Sequence, residues 1–345
     1  MCYRYAIHCS CAGWSPTTNA WRTVARFESK KPMKKKGVVT YLCIGFLGAW
    51  GLWLGAWIIA SRLFHISASN PLFQIGVLPG AFMPAMGAII VRKWVTREGF
   101  SDVGLRLNFR RSWKYYLFAA YLLPLAVVGV IVGLAVVLGI SQPDFSLHRS
   151  LGELFPRLNL SSIRVGPRLW AILLVQMMIE GVPLGTLVTW GEEFGWRGYL
   201  QRRLFRDSPI LAAVVTGLIW GFWHYPLILF GYEHYERVWV GLFVFPICTI
   251  LLSIIFGWLQ SETGSIWSSS VAHGATNALG GSLTSLLFLG GPHFEFVSYL
   301  GILSWIPLAA VCAWICANFS TRPKSDLAPS NRGNQPQPAI EYSPQ

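Results

Sequence analysis

The chain has 345 residues, of which 53% are hydrophobic and only 12% charged, with a net charge of +13. Soluble proteins carry about 25% charged residues, so a water-soluble domain is excluded. The apolar residues fall in blocks that reach the ~18–20 residues a helix needs to cross a bilayer, and the chain reads as an all-α, polytopic transmembrane bundle.

Residues 1–37 form a basic extension. Arg4, Arg22, Arg26, Lys30, Lys31, Lys34, Lys35 and Lys36 face Glu28 alone before the first apolar run. Basic residues beside spans set membrane orientation and meet anionic headgroups, so the expected partner of this charge is lipid, not nucleic acid. Met33 followed by three lysines reads as the true start, with residues 1–32 dispensable. Eight apolar blocks follow, at 38–60, 72–91, 115–140, 172–200, 209–230, 238–259, 266–289 and 297–318, within a membrane domain of residues 38–320. Residues 141–168 make the longest polar connection. The Pro-, Ser-, Asn- and Gln-rich tail 321–345 has no apolar pattern and is expected to be disordered.

With the N-terminus inside, residues 1–37, 92–114, 197–206 and the tail carry 22 of the 28 Lys and Arg. That asymmetry predicts both termini on the cytoplasmic side. The 17 Trp residues suit interfacial belts. Cys2, Cys9 and Cys11 lie in the extension, and Cys43, Cys248, Cys312 and Cys316 in apolar blocks. No zinc-type spacing occurs among them, and they read as packing residues.

Ionisable groups at membrane depth are costly, about 2.5–3.5 kcal/mol each on insertion scales, so each is a site candidate. They are Glu180, Glu192, Glu193 and Arg197 in the fourth span, His224 in the fifth and His273 in the seventh. Glu193 and Arg197 are i, i+4 neighbours able to pair. Glu192 points about 100° away around the helix, without a cation, as suits a general base. His273 and Asn277 share a face, and Gly274 and Ala275 allow close helix approach. Taken singly, a Glu–Arg pair near a helix end, or a histidine among aromatics, is also ordinary packing. The two imidazoles and Glu192 have the donor chemistry of a zinc site with an open position. The same groups can activate water without metal, and the residues alone leave both routes open.

At these positions the sequence resembles the CAAX-protease and bacteriocin-processing (CPBP, or Abi) family of intramembrane proteases, which includes the type II CAAX prenyl endopeptidase. The family pattern E-E-x-x-x-R, F-x-x-x-H and H-x-x-x-N/B is matched by Glu192-Glu193…Arg197, Trp220…His224 and His273…Asn277. Trp196-Arg197-Gly198-Tyr199 and Thr263-Gly264-Ser265 also look typical of it. The resemblance spans roughly residues 170–290, with Trp220 standing where the pattern has Phe.

It implies an endopeptidase acting on a membrane-associated, in some members lipidated, protein or peptide. Glu192 would be the acid/base, and Glu192, His224 and His273 the ligands of zinc, the expected cofactor, or contacts to water and oxyanion in a metal-free glutamate mechanism. Glu193 and Arg197 would hold the site, and Asn277 would orient water or stabilise the oxyanion. The expected setting is a bacterial cell membrane with the site on the cytoplasmic side.

Helix depth poses one difficulty. His224 falls roughly 22 Å along its helix and His273 roughly 10 Å along its own, at 1.5 Å per residue. A proton-coupled transporter using Glu180, Glu192, Glu193 and the histidines as a relay, and a non-catalytic scaffold or immunity factor, are the competing readings.

Overall fold

The computed structural model describes residues 35–320 except 69, 71, 156–158, 160–163 and 206. The expectations for the N-terminal extension before residue 35, the start at Met33 and the tail from 321 lie outside the described residues. Among the described residues all regular structure is helical, as an apolar chain whose backbone must satisfy itself within the bilayer requires.

Seven helices are long and apolar enough to cross a membrane. They are α1 (Lys35–Leu63), α2 (Phe73–Val95), α3 (Phe109–Val137), α4 (Pro167–Leu200), α5 (Pro209–Leu229), α6 (Val238–Thr263) and α8 (Phe294–Asn318). An eighth helical run, α7 (266–288), is of similar length but carries Ser268, Ser269, Ser270, His273 and Thr276, all buried. The eight helices fall on the eight blocks expected. The polar connection 141–168 is partly helical, at His148–Leu154, and α4 begins within it at Pro167.

The outer surface is apolar and much of the polar chemistry is inside. Leu47, Ile179, Leu184, Trp239 and Phe243 are exposed, whereas Glu192, Glu193, Arg197, Ser253 and Thr284 are buried. That inversion is what lipid as the outer solvent dictates.

Local sequence explains how the helices join. Gly264, at φ +66°, caps α6 and sends its N–H to the Gln260 carbonyl, a left-handed position that favours glycine. Ser265 follows as the N-cap of α7, its hydroxyl accepting from the Trp267 N–H at 3.2 Å. The 96–108 loop pins this turn, the Ile266 N–H donating to the Gly104 carbonyl and Asn108 Nδ2 to the Thr263 carbonyl.

At the same end Arg203 pairs with Glu98, and Arg92 with Asp102 at 2.8 Å. Burial pushes the Asp102 carboxyl up, but the Arg92 hydrogen bond and charge outweigh it, and it sits below the ordinary carboxylate value. The basic stretches 92–114 and 197–205 thus share one end of the bundle, as their common assignment to one membrane side requires.

Close backbone approach binds the central helices. A Cβ on Gly217 of α5 would lie 2.6 Å from the Ile250 Cα of α6. Across that seam Thr249 Oγ1 donates to the Gly217 carbonyl and Ser253 Oγ to the Ala213 carbonyl. Small residues and hydroxyl bonds of this kind drive helix association where no hydrophobic force separates helix from lipid.

Candidate active site

The polar centre is built on α4, α5 and α7, with Trp220 of α5 at its middle. Trp220 Nε1 donates to Glu192 Oε2 at 2.8 Å. Its ring lies edge-on to His273 at 5.0 Å and to His224 at 5.8 Å between centroids. The Arg197 guanidinium sits over the same ring at 4.6 Å, a cation–π contact inside a dry bundle. One indole therefore touches Glu192, Arg197, His224 and His273.

Glu193 and Arg197 pair as their spacing predicts, Nη1 to Oε1 at 2.8 Å, with both side chains fully buried. The same Glu193 oxygen also takes His273 Nδ1 at 2.9 Å, so α4 and α7 are joined through it. Glu192, its chain neighbour, projects instead toward α5. A π-helical turn, Trp196–Leu200, begins right after this pair, and another, Thr276–Gly281, follows His273. Such turns recur at functional sites because they re-aim side chains within a helix.

The depth difficulty resolves at the end of α5. Its regular α-turn stops at Trp223, with His224 as the capping residue ahead of Pro226. The His224 ring folds back so that Nδ1 meets the Trp220 carbonyl at 3.0 Å. Trp223 and Phe245 wall it in at 4.8 and 4.7 Å between centroids.

These partners fix the neutral tautomers. A carbonyl and a carboxylate only accept, so Nδ1 carries a proton in both rings, and in a neutral ring Nε2 is left bare. Among the described residues neither Nε2 takes a protein hydrogen bond. A bare Nε2 whose Nδ1–H is held by a carbonyl or carboxylate is the arrangement metal-binding histidines show. It equally accepts a hydrogen bond from water.

Asn277 is exposed, one turn beyond His273 and within the π-helical stretch. Glu180 is exposed on α4, where its carboxylate accepts from Gln176 at 3.3 Å. It does not join the buried group, so the relay considered from sequence lacks that member.

Two participants were not read from sequence. Trp220 stands in the sequence only where the family pattern has Phe, yet a buried indole N–H needs an acceptor, and here it finds Glu192. Glu233, in the loop after α5, is raised to about 7 by burial and by the negative charge of Glu192. A glutamate in a short polar loop gives no signal of that proximity.

A carboxylate and two imidazoles are thus turned inward within an apolar helical bundle. Residues 167–279, which hold all six candidate residues, match the family model described as type II CAAX prenyl endopeptidase Rce1-like. The chain is also 27% identical over 213 residues to a CAAX prenyl protease 2 of Methanococcus maripaludis, covering 59% of this chain and 70% of that relative. These likenesses bear out the resemblance to CPBP, Rce1-like membrane proteases.

Proposed function

We propose that the chain is an intramembrane endopeptidase that cleaves membrane-associated protein or peptide substrates, with Glu192 moving the proton of the attacking water. The observation that carries this is the grouping of Glu192, His224 and His273 around Trp220, both rings with Nδ1 committed. Water attacks the scissile carbonyl, Glu192 takes its proton, and the same carboxyl returns that proton to the leaving amine. Trp220 fixes the Glu192 oxygen during these transfers, while Glu193 and Arg197 hold His273 in register.

The donor types suit zinc, one carboxylate and two imidazoles leaving an open position, though among the described residues their ligand atoms do not all lie within 4.8 Å of one another. Glu192, His224 and His273 would hold it, and when bound it would lower the pKa of water toward neutrality. The substrate class we propose is a peptide with a prenylated cysteine near its C-terminus, the lipid lying in the bilayer beside the bundle. The names of the matched family and relative support it.

The test is cleavage, in proteoliposomes, of a prenylated C-terminal peptide and its unprenylated counterpart. Glu192→Gln, His224→Ala and His273→Ala should each abolish turnover while the proteins still insert and remain monodisperse in detergent. Normal cleavage by all three variants would overturn the assignment, and equal cleavage of both peptides would overturn the lipidated substrate.

A further inference from the structure

A second constellation lies at the end of the bundle opposite the 96–108 loop, apart from Glu192 and its partners. Glu236, in the loop between α5 and α6, meets His293 and Glu295 at the start of α8, and one ligand atom from each lies within 4.8 Å of the other two. Glu236 and His293 are exposed, whereas Glu295 is 1% exposed. The two loops are already fastened to each other. The Phe294 N–H donates to Glu236 Oε1 at 3.3 Å, and Tyr235 Oη to the Leu300 carbonyl at 2.7 Å.

Glu295 is the independent sign that this cluster is more than a solvated acidic rim. Its Oε2 is buried without any hydrogen-bond donor, and among the described residues no Lys, Arg or His pairs with it. The nearby Arg149 is committed elsewhere, donating to the Gln142 carbonyl and lying 3.7 Å from Asp144. Buried carboxylates are normally paired or bound to a cation. Here the neighbours that approach Glu295 are another carboxylate and an imidazole, which compete for protons rather than supply a fixed charge.

We propose that Glu236, His293 and Glu295 bind a divalent first-row cation of the zinc type, tying the α5–α6 loop to the start of α8. An imidazole with two carboxylates is a donor set for zinc, while Mg²⁺ and Ca²⁺ prefer oxygen alone. Bond lengths of about 2.0–2.2 Å require the ligand atoms to draw together, which the two exposed side chains are free to do around the fixed Glu295.

The test uses tag-free, full-length protein in detergent, stripped with a chelator and dialysed against low-micromolar Zn²⁺ alone, with bound zinc counted by elemental analysis. His293→Ala and Glu236→Gln, both at exposed positions, should each hold one zinc per chain fewer than the unmodified protein. They should also lose part of its Zn²⁺-dependent rise in melting temperature. His224→Ala should keep that same equivalent, which separates this site from the catalytic centre. Zinc contents of the two loop variants equal to that of the unmodified protein, or no zinc bound by any of them, would overturn the proposal.

Discussion

The Trp220 indole N–H is hydrogen-bonded to Glu192 at 2.8 Å, and the same ring carries Arg197 on its face. A phenylalanine would keep the wall and lose the donor. A hydrogen bond to a charged group contributes about 1.5–3 kcal/mol. Trp220→Phe should therefore lower kcat about 10- to 100-fold while the protein stays folded. Steady-state cleavage with a thermal melt of the same sample checks this. An unchanged kcat would mean that Glu192 is placed by something else.

In the proposed mechanism Glu193 frames the site and Glu192 does its chemistry, so neighbouring residues should fail differently. Removing the Glu193 carboxylate leaves Arg197 fully buried without its ion pair and frees His273 Nδ1. Breaking one partner of a buried pair costs about 3–5 kcal/mol. Glu193→Ala should accumulate poorly or melt well below the unmodified protein. Glu192→Gln keeps the shape and should melt near it while inactive. Equal melting temperatures for all three would contradict this division of roles.

How much of this was legible in sequence follows the physics of each feature. Span positions were readable because apolar length is a one-dimensional property, and the Glu193–Arg197 pair because i, i+4 contact is fixed by helix geometry. The His224–His273 convergence was not, because counting residues along straight helices ignores the break at Trp223 that turns His224 back onto Trp220. The π-turn after His273 likewise escapes a 3.6-residue wheel, and Asn277 lies within it. Influences between distant segments, the Glu192 charge on Glu233 or the approach of Glu236 to His293, leave no local pattern at all.

Glu233 gives the site a pH signature. Burial and the Glu192 charge raise its carboxyl from 4.5 to about 7. A carboxyl raised on folding contributes stability that is fully present below its unfolded value and lost as pH rises through its folded one. The unmodified protein should lose melting temperature as pH rises from about 4.5 to about 7 and level off above it, and Glu233→Gln should lose less. Glu192→Gln removes the repelling charge, so it should move the inflection to lower pH. Melts across that range check both, and superimposable curves for the unmodified protein and Glu233→Gln would refute the assignment.

The seam between α4 and α7 sets whether His273 reaches Glu193. Gly274 follows His273 directly, and a Cβ there would lie 2.6 Å from the Gly185 carbonyl carbon and 2.8 Å from the Thr186 Cα. Those are backbone atoms, which cannot swing aside. One turn earlier, Thr189 Oγ1 donates to the Ser270 carbonyl at 3.0 Å and ties the same helices. Gly274→Ala must therefore separate the two backbones, at a cost of about 1–3 kcal/mol for overpacking. The displacement falls on a hydrogen bond of 2.9 Å between His273 and Glu193. A misplacement of about 1 Å in a catalytic group is worth roughly 100-fold in rate, so activity should fall by more than the stability loss alone explains. Gly129→Ala is the matched control, since nothing lies within 4 Å of a Cβ on Gly129 and alanine is the better helix former. Cleavage rates and melts of the two variants side by side decide the matter, and a fully active Gly274→Ala would show that the seam does not govern the site.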